Sequence, residues 1–76
     1  METATTSKVT ETLRALASVI ASRCGHGRIS RRVFPNGTVR VVVTLAEPSA
    51  QHVAIARGEA FAACERAGIA CQVAVS

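Results

Sequence analysis

The sequence predicts a small α+β domain, a two-layer α/β sandwich with the element order α-β-β-α-β. Three features predict it: an apolar stripe at helical spacing near the N-terminus, a hairpin signal in the middle, and an alanine-rich helix followed by a short alternating strand. The chain has 76 residues, so it can form one domain at most. We expect residues 1–6 to be a disordered or frayed N-terminus and residues 7–76 to fold as that single domain.

The first helix is predicted from Ser7 to Cys24. Gly25 suits the left-handed position after its last turn, and Arg23 suits the negative end of the helix dipole. Its apolar residues are spaced so that they fall on one side of a helix. They are Val9, Leu13, Leu16 and Ile20.

A hairpin is predicted around the Phe-Pro-Asn-Gly-Thr segment, residues 34–38. Pro35 suits the first central position of a type I turn, and Gly37 then supplies the left-handed residue of a bulge. The alternative is a two-residue Asn36-Gly37 turn, which would shift the register by one residue and exchange the two sheet faces. We prefer the first turn because it leaves only Arg31 misplaced on an otherwise apolar face. That face collects Ile29, Val33, Val39, Val41, Val43 and Leu45.

The second helix is predicted to begin near Pro48 and to end at Gly68, because proline suits a first helical turn and glycine suits the end. Gly58 in its middle marks either a kink or a close helix–sheet approach. A last strand is predicted from Ile69 to Val75. Its crossover connection makes it parallel to the preceding strand. Because only one sheet face is apolar, we expect both helices on that face of a mixed, three-stranded sheet.

Positive charge is concentrated in the middle of the sequence. The chain has nine lysine and arginine residues against five acidic residues, a net charge of +4. Six arginines and no acid lie between Glu11 and Glu47. The sheet face opposite the helices is expected to carry a basic patch, which favours polyanions or acidic protein surfaces. The alternative interpretation is a solvated face that only keeps the protein soluble.

The candidate binding residues lie on this face and in the neighbouring loops. Arginine pairs with phosphate through two parallel hydrogen bonds, whereas base stacking has only one nearby aromatic side chain. We therefore expect phosphate-dominated, weakly sequence-specific binding. The candidates are Arg23, His26, Arg28, Arg31, Arg32, Phe34, Arg40 and Gln72. They predict a small non-enzymatic binding module that engages nucleic acid or a nucleoprotein complex.

A second hypothesis is a protein–protein inhibitor or adaptor that masks a site on a larger complex. In size and charge the chain resembles phage-encoded anti-defence, anti-CRISPR-like proteins, which implies that function. Homodimerisation is a separate hypothesis, because a three-stranded sheet has two free edges and the core is small.

The element order also resembles that of small KH-like and ribosome-associated RNA-binding folds. The tripeptide Ala56-Arg57-Gly58 is similar to the Ala-x-Gly kink of ribosome-binding factors of that type. The resemblance implies RNA binding. It covers a topology and one tripeptide, and the chain lacks the GxxG loop with which KH domains grip nucleic acid.

Catalytic and metal chemistry have few candidate residues. Cys24, His26, Cys64 and Cys71 do not have the spacing of paired zinc knuckles, so we expect no metal and no cofactor. Cys64 and Cys71 fall on core-facing positions, where a free cysteine acts as a small hydrophobic residue. An odd cysteine count without CxxC or a signal peptide predicts a cytoplasmic protein. No apolar stretch reaches the roughly 18 residues of a membrane span.

Overall fold

The computed structural model describes residues 2–76, with side chains from Ser7 onward. The sheet is open, with strand order β1-β2-β3, an antiparallel β1–β2 pair and a parallel β2–β3 pair. This confirms the predicted α+β architecture. The first helix begins at Glu2, so the predicted start at Ser7 was late by five residues. A disordered or frayed N-terminus over residues 1–6 stays a prediction. The elements are α1 (Glu2–Cys24), β1 (Gly27–Val33), β2 (Val39–Leu45), α2 (Ala50–Ala67) and β3 (Cys71–Val75).

The hairpin between β1 and β2 has the predicted three-residue loop. The backbone N–H of Phe34 donates to the Thr38 carbonyl at 2.8 Å, and that of Gly37 donates to the Phe34 carbonyl at 2.9 Å. Gly37 has a φ of 92°, so it supplies the left-handed bulge residue. The resulting register places Arg31 opposite Val41. The predicted division of residues between the two faces is therefore confirmed.

The core lies between the sheet and both helices. Along the central strand β2, every second side chain is buried and the others are exposed or half-buried. Both helices contribute residues to the same buried cluster, so both lie on one face of the sheet, as predicted. Removing this apolar surface from water is the main stabilising contribution. The cluster consists of Val9, Leu16, Ile20, Cys24, Val39, Val41, Val43, Leu45, Ala56, Ala60, Ala63 and Cys64.

A serine, not the proline before it, starts helix α2. The Ser49 hydroxyl accepts a hydrogen bond from the backbone N–H of His52 at 3.1 Å. Helix α2 begins at Ala50, so the predicted start near Pro48 was early by two residues. A hydroxyl can satisfy a free N–H of the first turn, and a proline side chain has no acceptor to do so.

Helix α2 ends in a Schellman motif that also shortens the last strand. Gly68 is left-handed, with φ 70°, and its N–H donates to the Glu65 carbonyl at 3.1 Å. The N–H of Ile69 donates back to the Cys64 carbonyl at 2.9 Å. Strand β3 was predicted to begin at Ile69 and begins at Cys71, because Ile69 belongs to the helix end.

Cys64 and Cys71 form a disulfide, with their Cα atoms 6.4 Å apart. Both lie at the core, as expected, but the expectation that they are free was wrong. The Schellman turn reverses the chain within a sequence separation of 7, which brings the last turn of α2 beside the first residue of β3. Cys24 is free and buried, and its Sγ lies 3.6 Å from the His52 carbonyl.

Two glycines differ in what surrounds them. A Cβ added at Gly27 would lie 3.2 Å from the Thr44 carbonyl oxygen and 3.3 Å from a Leu45 methyl carbon, so a larger residue here would displace these neighbours by a few tenths of an ångström. A Cβ at Gly58 would meet nothing within 4 Å, and α2 is one continuous helix around it. The kink or close helix–sheet approach expected at Gly58 is therefore not found there, and the crowded glycine is Gly27, within the sheet.

We predict opposite effects for alanine at these two glycines. Gly27→Ala is expected to lower the free energy of unfolding by about 1–3 kcal/mol, because a backbone oxygen must move to admit the methyl group. Gly58→Ala is expected to raise it by about 1 kcal/mol, because alanine favours a helix over glycine. Urea unfolding of both variants measures these changes. A Gly27→Ala variant as stable as the wild type would contradict the close packing at this position.

We predict that reduction of the disulfide lowers the free energy of unfolding by about 2–3 kcal/mol, since the bond closes a short loop. Urea unfolding with and without reductant measures this change, and Cys24→Ala should preserve the dependence on reductant. Thiol titration of the unfolded chain should give one reactive group before reduction and three after it. Three reactive thiols without reductant would show that the pair is not bonded.

Candidate nucleic-acid interface

The side of the sheet away from the helices presents side chains from all three strands. Successive strand residues point to opposite faces, so the residues that alternate with the buried positions gather here. All of them are exposed or half-buried. We call this surface the open face; it consists of Arg28, Ser30, Arg32, Arg40, Val42, Thr44, Gln72 and Ala74.

One row of residues across the open face concentrates positive charge. Arg32 lies directly opposite Arg40, and Arg40 lies beside Gln72 on β3. Directly opposed residues have Cβ atoms about 5 Å apart, so two guanidinium-bearing side chains leave the sheet side by side. The Arg32 guanidinium carbon lies 5.5 Å from the centre of the Phe34 ring, a cation–π contact at the hairpin end of the face. The row can therefore offer two guanidinium groups and an amide to one anion.

No carboxylate of the described residues lies on the open face. The acidic side chains from Ser7 onward belong to the two helices and to the loop after β2. One of them, Glu59, forms an ion pair of 3.5 Å with Arg23, which connects the two helices. The arginines of the open face therefore have no acidic side chain beside them within the described residues. The acidic residues are Glu11, Glu47, Glu59 and Glu65.

The structure brings five of the eight predicted residues together on or beside the open face: Arg28, Arg32, Phe34, Arg40 and Gln72. Arg31 points the other way, because neighbours in a strand face opposite sides, and its Nη1 donates to Thr10 Oγ1 at 2.7 Å. Arg23 lies in the helical layer. His26 is exposed in the loop before β1, at the end of the sheet.

Arg14 is a basic residue near β1 that is not among the predicted binding residues. It lines a groove between α1 and β1 together with Arg31. Arg14 lies one helical turn after Thr10, on the side of α1 that holds the Arg31 side chain. The prediction missed it because nothing local to α1 shows which strand passes beside that side of the helix.

No group of three or more histidine, cysteine or acidic residues gathers where it could hold a metal ion, within the part of the chain that the structure describes. The disulfide also engages two of the four residues of the zinc alternative. Neither helix, over residues 2–76, has the length and hydropathy that a bilayer span requires.

Comparison of the chain with protein-family models, with curated proteins and with solved structures finds no match. Any function of the chain must therefore be inferred from the residues of the site itself.

We predict that Arg40→Glu stabilises the protein by about 0.5–1 kcal/mol at low salt, because it replaces opposed like charges with an ion pair. The gain should fade as salt screens the pair. Arg57→Glu is the matched control, since it makes the same charge change on the exposed surface of α2. Urea unfolding at two salt concentrations measures the change in the free energy of unfolding for each of the two variants. Equal gains in the two variants would show that only net charge matters.

Proposed function

We propose that this protein is a small non-enzymatic binding module whose open face engages nucleic acid through its phosphate groups. The opposition of Arg32 and Arg40, with no carboxylate beside them among the described residues, carries the proposal. Like charges directly opposite each other destabilise a sheet. A phosphate between the two guanidinium groups would offset that repulsion and accept paired hydrogen bonds from each.

The shape of the open face supports contact with a chain of phosphates. Arg28 and Arg32 lie on the same face of β1, four residues apart, which is about 13 Å along a strand. They can therefore contact different phosphates of one strand. Ser30 lies between Arg28 and Arg32 on β1, and its cross-strand row continues through Val42 to Ala74. The small side chains at the two ends of that row leave room for a nucleic-acid backbone to approach. With Phe34 as the single aromatic side chain at this surface, we expect little discrimination between bases.

The alternative function is a protein–protein inhibitor or adaptor. Phe61 supports this alternative, because its side chain is 49% exposed on α2, far from the basic row in sequence. Such a partner would be indifferent to charge on the open face. A cytoplasmic location and a homodimer stay predictions, the second measured by light scattering at high protein concentration.

We predict salt-dependent binding of the wild-type protein to labelled RNA and DNA, single-stranded and duplex, measured by fluorescence anisotropy. Each phosphate contact contributes a slope of about −0.7 to −0.9 in log affinity against log salt. The Arg32→Glu/Arg40→Glu variant should bind at least about tenfold more weakly and lose about two contacts from the slope. It retains a like-charge pair, so its stability should stay close to that of the wild type.

The matched control is Arg57→Glu/Arg66→Glu, which changes net charge equally on exposed positions of α2. It should retain most of the affinity. Absence of binding at low salt, or the same loss in both double variants, would contradict the proposal. The first of these results would favour the protein-partner alternative, and capture with Phe61→Ser as a control would then test it.

A further inference from the structure

The outer edge of β1 offers unpaired backbone groups. The Phe34 N–H donates to Thr38, and the His26 carbonyl accepts from Ala46, so even-numbered residues of this strand form the hydrogen-bonded pairs with β2. In an antiparallel ladder the backbone N–H and C=O groups of the alternate residues then point away from the sheet. Those residues are Gly27, Ile29, Arg31 and Val33.

A groove runs between this edge and helix α1, with a volume of about 400 Å³. Leu13, Ala17 and Ile29 contribute its apolar lining, and Arg14 and Arg31 contribute its charges. The hydrogen bond of 2.7 Å from Arg31 to Thr10 holds that guanidinium at the groove. Further along the same edge, Val33 is 52% exposed, one of the two large apolar side chains with such exposure among the described residues.

The charges beside this edge select the kind of segment that can pair with it. A strand added to β1 would direct alternate side chains toward Arg14 and Arg31 on the helix side. Its other side chains would lie next to Arg28 and Arg32 on the open face. Both sides are basic, so an acidic segment is complementary and a basic one is repelled. A second copy pairing through β1 would place arginines against arginines, whereas the edge strand β3 carries no charged residue.

We propose that the edge of β1 binds an acidic, extended segment of a partner protein as a fourth strand. Backbone hydrogen bonds to the odd-numbered residues would hold the segment, and its carboxylates would meet arginines on both sides. A small apolar side chain would enter the groove over Leu13 and Ile29. This site lies on the strand edge and the helix side, so it goes beyond the nucleic-acid function proposed for the open face.

The probe for this proposal is a labelled peptide with the repeat Glu-Glu-Val, about as long as one strand, which places carboxylates and valines on both sides. We expect it to bind the wild-type protein at least about tenfold more tightly than the Lys-Lys-Val peptide. Methylation of backbone nitrogens adds a test of strand pairing. Only one alternate set of peptide nitrogens faces β1, and the repeat lets either set do so. A peptide methylated at every second nitrogen should therefore still bind, and a peptide methylated at every nitrogen should not.

The protein variant is Arg14→Glu/Arg31→Glu, which should weaken binding of the Glu-Glu-Val peptide at least about tenfold. The nucleic-acid affinity of Arg14→Glu/Arg31→Glu should change no more than that of the control variant Arg57→Glu/Arg66→Glu. The control variant should bind the Glu-Glu-Val peptide about as tightly as the wild-type protein. Circular dichroism and urea unfolding establish that each variant is folded. The methylated peptides test the wild-type protein, so they give a result even where a variant is unstable.

Three results would overturn the proposal: no binding of the Glu-Glu-Val peptide, equal binding of the Lys-Lys-Val peptide, or undiminished binding of the peptide methylated at every nitrogen. Loss of nucleic-acid binding in Arg14→Glu/Arg31→Glu without peptide binding would assign the edge to the nucleic-acid site instead. Peptide binding without any nucleic-acid binding would support this proposal and contradict only the function proposed for the open face.

Discussion

One-sided burial of the central strand is the constraint on which the rest of the structure depends. Val39, Val41 and Val43 of β2 are at most 1% exposed, and both helices pack over them. Ala56 and Ala60 on α2 are fully buried. The buried cluster consists of aliphatic and cysteine side chains and contains no aromatic one. A register shift of one residue would move this valine row to the other face, so burial specifies the pairing strongly.

The same alternation that buries the valines displays the arginines. Each residue between two buried positions of β2 must face away from the helices, which assigns Arg40 to the open face and sets it opposite Arg32. This opposition disfavours folding, and the described part of the chain provides no acid to relieve it. A local arrangement that opposes stability without an evident structural gain is typical of a functional surface. The alternation also separates Arg31 from its neighbour Arg32 and places it beside helix α1, so consecutive arginines serve two different surfaces.

Several local features secure the junction between α2 and β3. The Ser49 cap starts the helix, the left-handed Gly68 ends it, and the disulfide joins its last turn to the strand. A core of this size gives a small free energy of unfolding. A disulfide and helix caps therefore contribute a larger share of the stability than they would in a large domain. The disulfide also anchors the strand that carries Gln72, and thereby one end of the basic row.

The sequence by itself determined the element order, the hairpin register and the composition of the open face. These depend on short-range information: apolar periodicity, the turn residues around Gly37, and the alternation of strand side chains. Only the tertiary structure decided the partners of Cys64 and Arg31, because each partner lies on a different element whose approach depends on how the layers pack. The groove beside β1 is also a feature that only the tertiary structure decided. Its lining comes from a helix and a strand that no local pattern relates, so it exists only once α1 is seated on the sheet.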